Sequence, residues 1–573
     1  MKVTDAIADA LAKLGADTMF GVVGSGNFHL TNALISRGVR YVAARHECGA
    51  ASMADAWARL AGRPALLTLH QGPGLTNALT GITEAAKSRT PLLVLAADVS
   101  TRAVTSNFRI DVSALAAATG ATPARLHSTG FALDDAVRAY RTARDERRTV
   151  VLGLPLDVQA GECTWPGDPD LRVAEPAPPS QPQVAQLAAT LAEATRPVFV
   201  AGRGARSAVA RAALEQLADS CGALLATSAA AKGLFRGNPW DLDVSGGFAS
   251  PLTAELIANA DVLVGWGCSL NMWTTRHGTL IGPRMTVVQV DNDASAIGRH
   301  RQVHLGVAGD VALTASAVTR LLADEARGPD GVSESPEAHG PDEAQDGDAA
   351  DLPSIGYRSE ELRSGLAARV RWRDVPYEDE SDGARIDPRT LTIALDDLLP
   401  AERIVAIDSG NFMGYPSMFL SVPDQDGFCF TQAYQSIGLG LASAIGSAIA
   451  RPDRLVIAAL GDGGGLMGIS ELETAVRLGL PMVIVIYDDE AYGAEVHHFG
   501  PDGYPLDTVR FPPADLAAIA RGFGCDAVTV RTADDLGPVR AWLESRPGRP
   551  IVIDAKVTSD HGAWWLEEAF RGH

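Results

Sequence analysis

The stretch LVIAALGDGGGLMGISELETAVRLGLPMVIVIYDDEAYG, residues 455–493, contains two short apolar runs, each followed by a polar turn. The first run, 455–460, leads into a glycine-rich turn and a helical stretch, and the second run, 482–487, ends in two aspartates. This order predicts a strand–helix–strand unit with parallel strands and a right-handed crossover. Asp462 and Asp489 are then expected at the same edge of one sheet.

Two carboxylates beside a glycine-rich turn at the start of a helix suit a Mg²⁺ ion that holds a phosphate ester. Glycines let backbone N–H groups approach the phosphate, the helix dipole favours negative charge, and Mg²⁺ prefers oxygen ligands. The sequence has no GxxxxGK[ST] pattern, which excludes a Walker-type nucleotide loop. The alternative is a tight strand–helix turn in which Asp462 only caps the helix.

The same alternation of apolar runs and Ala/Leu-rich helical stretches extends over three blocks of similar size, which are residues 1–165, 185–323 and 386–573. It predicts an α/β fold with three doubly wound parallel-sheet domains that bind ligands at the carboxyl ends of their strands. The Pro-rich residues 166–184 are expected to be a linker. Residues 324–385 are expected to be an insert and linker, disordered over the acidic part, 324–351, because it has few apolar groups to bury.

Composition excludes several classes of protein. The 573 residues carry 49 basic and 70 acidic side chains, and the net charge of −21 argues against a nucleic-acid-binding protein. The six cysteines form no CxxC pair, so neither a zinc site nor a disulfide framework is indicated. No apolar run is long enough to span a membrane and the N-terminus does not read as a signal peptide, so a soluble cytoplasmic protein is expected.

Residues 461–493 resemble the thiamine-diphosphate motif, in which GDG is followed by a helix and a second strand with an Asn-rich end. The resemblance covers nearly the whole chain apart from the acidic insert. It is to the group of acetolactate synthase, pyruvate oxidase and benzoylformate decarboxylase. It implies thiamine diphosphate and Mg²⁺ as cofactors, with a pyrimidine-binding domain at 1–165, a middle domain at 185–323 and a diphosphate-binding domain at 386–573.

The resemblance also implies site residues in the third block. Asp462 and Asp489 would bind Mg²⁺ together with the backbone carbonyl of Ala491. The family usually has Asn at position 489, and the extra charge of Asp would tighten metal binding but repel the diphosphate. Ile437 matches the bulky residue that bends the cofactor, or is an ordinary core isoleucine. Two turns would contact the diphosphate, through Ser409, Gly410, Asn411, Phe412, Gly461, Gly463 and Gly464.

Glu47 begins an Ala-rich helical stretch after YVAAR in the first block. The resemblance makes it the glutamate that hydrogen-bonds the aminopyrimidine ring of the cofactor and favours its imino tautomer. The alternative is a first-turn glutamate stabilised by the helix dipole. Ala50, Ala51, Ala54 and Ala58 recur at helical spacing and would allow another element to pack closely.

Three turns supply candidates for proton transfer and substrate contact, which are Ser25 and Asn27, then His70 and Gln71, then Glu495, His497 and His498. His70 and Ser25 match a catalytic His and a Ser of the benzoylformate decarboxylase branch, whereas the following GPGLTNALTGI is closer to the synthase branch. The alternative for His70 is a histidine that only bonds turn backbone. The alternative for Glu495 and His498 is a solvated helix start.

The middle block carries two weaker signals, GRGAR at 202–206 and VDND at 290–293, each after a predicted strand. Some relatives bind FAD or ADP in this domain, but a lone GxG is weak evidence, and FAD is possible but not favoured here. In the first block, ATPARLHS stands where synthases carry a lysine-bearing segment. This difference weakens the case for pyruvate as the natural substrate.

These observations predict a thiamine-diphosphate- and Mg²⁺-dependent enzyme of the acetolactate synthase type. It would decarboxylate a small 2-oxo acid and pass the acyl carbanion to an acceptor carbonyl, with no nucleic acid or membrane as partner. A decarboxylase that releases an aldehyde is one alternative, favoured by His70. A non-catalytic cofactor-binding relative is another, disfavoured by Glu47, Asp462 and Asp489. The resemblance implies a homodimer or homotetramer with active sites at the subunit interface.

Overall fold

The computed structural model describes residues 1–164, 167–327, 356–545 and 547–566. It contains three six-stranded sheets, one from each predicted block, with helices between the strands. The predicted α/β fold with three parallel sheets is confirmed. The chain divides into two compact units. The first unit holds the first and third sheets and consists of Met1–Ala174, Glu378–Leu420 and Cys429–Leu566, and the second holds the middle sheet within Glu175–Tyr377, with Ser421–Phe428 added.

The first sheet is parallel throughout. Its strands are β1 (Thr18–Gly21), β2 (Arg40–Ala43), β3 (Ala65–Leu69), β4 (Leu92–Asp98), β5 (Thr122–Arg125) and β6 (Thr149–Pro155). The helices around it are α1 (Val3–Lys13), α2 (Phe28–Ile35), α3 (Glu47–Ala61), α4 (Pro73–Lys87), α5 (Val112–Thr119), α6 (Ala132–Asp145) and α7 (Leu156–Ala160). The strand order is β2-β1-β3-β4-β6-β5. Strands β3, β4 and β6 are buried at every position, as expected for strands covered on both faces.

The middle sheet is also doubly wound. Its strands are β7 (Pro197–Ala201), β8 (Leu224–Thr227), β9 (Asp241–Val244), β10 (Val262–Trp266), β11 (Thr286–Asp291) and β12 (Leu305–Ala308). Its helices are α8 (Gln181–Ala192), α9 (Ala208–Cys221), α10 (Pro251–Ala258), α11 (Val311–Arg327) and α12 (Glu360–Arg369). The order β12-β11-β10-β7-β8-β9 reverses between β10 and β7, and this reversal defines the switch point of the sheet.

The third sheet contains the stretch from which the fold was predicted. Its strands are β13 (Arg403–Ile407), β14 (Phe428–Phe430), β15 (Leu455–Gly461), β16 (Met482–Asp488), β17 (Asp526–Val530) and β18 (Ile551–Lys556). Its helices are α13 (Pro388–Leu398), α14 (Gly414–Phe419), α15 (Gly440–Ala450), α16 (Asp462–Met467), α17 (Glu471–Arg477), α18 (Gly493–Phe499), α19 (Leu516–Gly522) and α20 (Gly537–Ser545). The order is β14-β13-β15-β16-β18-β17, and β15 pairs with β16 in parallel, as predicted.

The segment predicted to be an insert and linker, residues 324–385, is partly helical in the structure. Residues 360–374, assigned to the insert and linker, form α12 and a following 3-10 turn, because Leu366 is buried in the core of the middle block. Helix α11 continues to Arg327, past the predicted start of the acidic insert. The remainder of the predicted disordered segment lies outside the described residues. Within the described residues, no helix combines the length and the apolar character required to cross a bilayer.

Helices α3 and α15 pack closely and join the first and third sheets in one hydrophobic core. The alanines predicted to allow close packing, Ala50, Ala51, Ala54 and Ala58, are all fully or almost fully buried there. On α15, a side chain at Gly446 would overlap the backbone carbonyl of Met53. Because the two helix backbones approach this closely, the N-terminus of α3, which carries Glu47, is fixed relative to the third sheet.

Candidate active site

Two buried carboxylates lie together at the carboxyl edge of the third sheet. Asp462 follows β15 and Asp489 follows β16, and the parallel register Gly461↔Tyr487 places both at the same edge. Each residue is 7% exposed, and both carboxylate oxygens of Asp489 are buried without a hydrogen-bond partner among the described residues. Burial and the neighbouring acidic groups raise the pKa of Asp462 to about 7 and that of Asp489 to about 8. A cation bound between them would remove this penalty.

The backbone of α18 packs directly against Asp489 and Asn411. A side chain at Gly493, the first residue of α18, would overlap the Asp489 carboxylate and would lie 2.9 Å from Nδ2 of Asn411. The Oδ1 atom of Asn411 is also buried without a hydrogen-bond partner in the described chain. Unpaired buried acceptors are costly, so this set fits a site completed by a bound group. The donor chemistry, all oxygen, matches Mg²⁺.

The described residues contain no cluster of three or more His, Cys, Asp or Glu side chains arranged for a metal. The predicted metal site has only two such side chains, Asp462 and Asp489, because its third ligand is a backbone carbonyl. It is therefore consistent with that finding. Ala491, the predicted carbonyl ligand, is held by an antiparallel bridge to Arg510, and the neighbouring Tyr492 N–H donates to the carbonyl of Val509. Its backbone is therefore fixed next to Asp489.

The glycines predicted to contact the diphosphate differ in their surroundings. A side chain at Gly464 would overlap Asp408, and one at Gly463 would lie 2.5 Å from the ring of Tyr492, so either substitution would force its neighbour to move. Gly461 faces open space. The Asp462 side chain is not the helix N-cap, since Gly461 holds that position and α16 begins at Asp462. Asp462 therefore lies in the first turn of α16, one position after the N-cap.

The second predicted turn lies beside Ile437. Gly410 has a φ of +114°, and a side chain there would lie 3.7 Å from Cγ2 of Ile437. Ser409 is half-buried, and its N–H donates to Asp408. Phe412 is directed into the core, because its ring stacks on Tyr487 with centroids 5.6 Å apart. Only the backbone of Phe412 is left to face a ligand.

Asp408 was not among the residues predicted from the sequence. It is buried at the end of β13, and its carboxylate accepts the N–H groups of Ser409, Gly438 and Leu439. Burial nevertheless raises its pKa to about 6. Asp408 thereby ties the 409–412 turn to the segment that carries Ile437. The signal in the sequence was an aspartate directly after the buried run IVAI.

In the first block, Glu47 and His70 lie on either side of Gly74. A side chain at Gly74 would lie 3.2 Å from Cβ of His70 and 3.8 Å from Oε1 of Glu47. Glu47 is half-buried at the first position of α3, and Asn77 donates to its Oε2 atom at 3.1 Å. The structure therefore brings together the predicted cofactor-activating carboxylate and the predicted proton-transfer histidine.

The His70 ring is oriented by its neighbours. Its Nδ1 atom accepts the N–H of Gly26 at 3.2 Å, and its ring meets Phe108 edge to face at 5.4 Å. In the neutral ring this leaves the proton on Nε2. Ser25 is exposed in the same turn, and Gln71 is buried with an Oε1 atom that has no partner among the described residues.

Asn27 does not fit the predicted role in substrate contact. Its Oδ1 accepts the N–H of Gly24, and its Nδ2 donates to Val22 and Thr68. Both polar atoms of its side chain are hydrogen-bonded to the turn or to β3, and the residue is 2% exposed. Asn27 therefore shapes the turn that presents Ser25.

Helix α18 carries the third set of candidates. His497 packs against Gly562 and has a buried Nε2 atom without a partner in the described chain, and burial lowers its pKa. It faces the C-terminal segment, where His561 lies close enough to contribute to the lowered pKa. His498 packs on the Phe499 ring at 4.6 Å, and Glu495 is half-buried in the first turn.

Glu471 is a second residue that the sequence reading missed. It is buried at the first position of α17, and its carboxylate accepts the N–H groups of Arg45 and His46, directly before Glu47. A side chain at Gly49 would overlap it. The GDG-containing unit of the third block therefore fixes the backbone that presents Glu47.

Main-chain hydrogen bonds join the turns that follow β7 and β10 at the switch point of the middle sheet. The N–H of Gly204 donates to the carbonyl of Gly267 at 3.0 Å, and that of Gly202 donates to Trp266 at 2.8 Å. In VDND, Asp291 accepts the N–H of Asp293, which shapes the turn.

The candidate residues form two groups. Ser25, Glu47, His70 and Gln71 lie at the edge of the first sheet, and Asn411, Ile437, Asp462 and Asp489 lie at the edge of the third. Among the described residues, no hydrogen bond, ion pair or ring contact joins one group to the other. These two groups of residues are called the two half-sites.

Comparison with known proteins identifies three domains of one enzyme family along the chain. Residues 1–118 match the N-terminal thiamine-pyrophosphate-binding domain of thiamine pyrophosphate enzymes, residues 184–318 match the central domain, and residues 408–555 match the C-terminal thiamine-pyrophosphate-binding domain. The chain belongs to the thiamine pyrophosphate enzyme family. Within it, the chain falls in the group of acetolactate synthases, acyltransferases and decarboxylases.

Individual relatives carry different names. A sulfoacetaldehyde acetyltransferase from Alcaligenes xylosoxydans xylosoxydans is 26% identical over 98% of this chain and 94% of its own length. A probable 2-ketoarginine decarboxylase from Pseudomonas aeruginosa is 29% identical over 95% of this chain and 91% of its own. The fold matches a thiamine diphosphate-dependent 4-hydroxybenzoylformate decarboxylase from Rhodococcus jostii RHA1, with a TM-score of 0.77, 21% identity and coverage of 98% and 100%.

Proposed function

We propose that this protein is a thiamine-diphosphate- and Mg²⁺-dependent enzyme that decarboxylates a 2-oxo acid and transfers the acyl carbanion to an acceptor carbonyl. The observation that carries the proposal is the pair of half-sites. One holds two buried carboxylates, of which Asp489 has both oxygens unpaired among the described residues, beside glycines where a side chain would overlap its neighbours, and the other holds a glutamate next to an oriented histidine.

Asp462 and Asp489 would hold Mg²⁺, with the carbonyl of Ala491 as a third protein ligand. Their raised pKa values support this role, because a divalent cation favours the charged form of both carboxylates. The backbone N–H groups of Gly463 and Gly464, at the start of α16, would bind the diphosphate, and Asn411 would turn its unpaired amide oxygen toward the bound group.

Bound thiamine diphosphate supplies the electron sink that decarboxylation of a 2-oxo acid requires. Glu47 would hydrogen-bond the aminopyrimidine ring with the carboxylate oxygen that Asn77 does not hold. Glu471 fixes the backbone before Glu47 and thereby its direction. Ile437, placed against Gly410, would support the bent form of the cofactor.

A second copy of the chain would complete each site, in a homodimer or a homotetramer. The two half-sites of one copy are not in contact, so each would meet the complementary half-site of its neighbour. Large apolar side chains are exposed beside both half-sites, with Leu466 and Met467 after the glycine-rich turn, Phe108 against His70, and Phe28 after the turn that carries Ser25. Exposed apolar groups of this kind are typical of surfaces that become buried on association.

A decarboxylase that releases an aldehyde is the second candidate function. Its specific support is His70, whose Nε2 proton is set by the bond from Gly26 to Nδ1 and which lies next to Glu47. A proton donor at this position suits protonation of a carbanion. The names of the relatives include both a transferase and a decarboxylase.

A panel of 2-oxo acids tests both candidates. The purified protein is supplied with thiamine diphosphate and Mg²⁺, with and without an aldehyde or 2-oxo acid acceptor, and both CO₂ and the organic product are measured. Coupled products that form in step with CO₂ support transfer, and free aldehyde as the sole product supports the alternative. An Asp462→Ala preparation controls for contaminating enzymes. Absence of CO₂ release above that control from every acid would contradict both functions.

A further inference from the structure

The first block contains a buried charge cluster built on α3 and α4. Arg59 lies 2.7 Å from Asp55 and 2.8 Å from Glu84, and these side chains are 5%, 1% and 2% exposed. Ser88 donates to Glu84, and Thr90 donates to Asp55. Burial and the nearby Glu84 raise the pKa of Asp55, whereas Arg59 and hydrogen bonds lower that of Glu84. Two acids share one guanidinium, so the cluster has an excess of acceptors.

The excess acceptors bind the main chain of the third block. Glu84 accepts the N–H of Tyr434 at 2.7 Å and that of Ala433 at 3.2 Å. Arg59 donates to the carbonyl of Phe430 at 2.6 Å. Three main-chain groups between 430 and 434 are thus held by two side chains of the first block.

The segment that follows is constrained from its other end as well. Asp408 accepts the N–H groups of Gly438 and Leu439. Between these two anchors, Gln435 adopts a φ of +60°, in the left-handed region that a residue with a Cβ rarely occupies. Such a conformation persists only where the surroundings hold it. Ile437 lies within this held stretch.

We propose that Arg59 and Glu84 are positioning residues for the cofactor site, because they hold residues 430–434 and thereby place Ile437. The role of Ile437 rests on the function proposed above. Packing the two blocks together does not by itself require buried charge, since apolar residues of similar size would do so equally well. The cluster instead supplies hydrogen-bond acceptors on Glu84 and a donor on Arg59, which hold residues 430–434 in one main-chain conformation.

The substitution Glu84→Gln tests the proposal with little risk to folding. It keeps the size of the side chain, and Arg59 remains paired with Asp55. Thr90→Val is the matched control, because it removes a 2.6 Å hydrogen bond from the same cluster without touching the third block. Both variants are made in the full-length protein.

Two measurements are made on each variant. Hydrogen exchange of the amides in 430–439 is followed without cofactor, and thiamine diphosphate affinity is measured by calorimetry with Mg²⁺. We expect Glu84→Gln to speed exchange across this segment and to weaken cofactor binding about tenfold, since charged acceptors bind N–H groups strongly. Thr90→Val should leave both near wild type.

The proposal is overturned if exchange is unchanged in Glu84→Gln, or if both variants lose affinity in proportion to their melting temperatures. A wild-type protein that does not bind thiamine diphosphate would contradict the proposed function. In that case the exchange measurement still decides whether Glu84 holds the segment.

Discussion

Glu47 and His70 approach each other across Gly74, with Gly74 close to both the Oε1 atom of the carboxylate and the Cβ atom of the imidazole. They come from different elements, since Glu47 begins α3 and His70 follows β3. Asn77 holds one oxygen of Glu47, and Gly26 holds one nitrogen of His70. Each group therefore has one atom fixed by the protein and one available to a ligand.

We expect Glu47→Gln to lower turnover by at least about a hundredfold, because the amide cannot exchange a proton with the cofactor ring. Cofactor affinity should change far less than turnover. Steady-state kinetics and calorimetry on the same preparation check this. The exposed Glu146 provides a control, as Glu146→Gln should behave like wild type. Turnover near normal in Glu47→Gln would remove Glu47 from the catalytic assignment.

Asp462→Asn should have opposite effects on cofactor binding and on stability. Loss of a metal ligand should weaken thiamine diphosphate binding in Mg²⁺ by about a hundredfold or more. Without metal, the melting temperature at pH 8 should rise, because one of two mutually repelling buried carboxylates is gone. Calorimetry and thermal unfolding measure the two effects. Asp453→Asn, in the turn before β15, is the control. Unchanged cofactor binding would contradict the metal site.

Gly493→Ala should displace the Asp489 carboxylate from its present position. The added methyl group would overlap the carboxylate and crowd Asn411, so Mg²⁺-dependent cofactor affinity should fall by roughly tenfold or more while the fold is retained. Gly537→Ala is the matched control, because that glycine has a helical backbone with no atom within 4 Å of the new methyl group. Equal cofactor affinities for the two variants would contradict a role of Asp489 and Asn411 in binding the cofactor and its metal ion.

Asp408 gives a pH dependence with a defined sign. Its pKa is raised by burial from 3.8 to about 6, so the folded state binds the proton more tightly than the unfolded state. The free energy of unfolding should therefore fall as pH rises from about 4 to about 6, and this contribution should be constant outside that window. Asp408→Asn should show a smaller fall in melting temperature over the same range. Curves parallel to wild type, or an equal effect in the exposed Asp134→Asn, would contradict the assignment.

The third-block site was largely predictable because its determinants are adjacent in the chain. The apolar runs before Asp462 and Asp489 match β15 and β16, and the parallel pairing follows from the helical connection between them. The position of Glu47 at the first residue of α3 was predicted in the same way. In each case the element and its polar end lie within a few residues of each other.

The buried acceptors were not predictable by the same reasoning. Glu84 in GITEAAK reads as a solvent-facing helix residue, and its partner Tyr434 is 350 positions away. Glu471 likewise reads as an ordinary first-turn glutamate, although its partners are in the first block. Their burial depends on how α3, α4 and α17 pack. That packing has no local pattern in the sequence.

Glu84 and Glu471 both bind main-chain N–H groups of the opposite block, not side chains. These main-chain bonds do not themselves depend on which side chains stand at positions 45, 46, 433 and 434, except that none can be proline, which lacks the donor. The side chains of Arg45, which pairs with Glu473, and Tyr434, which lies under Lys87, add further contacts across the same junction. A large part of the alignment between the two sheets is therefore encoded by two buried glutamates and the peptide groups that they bind, and not by matched pairs of side chains.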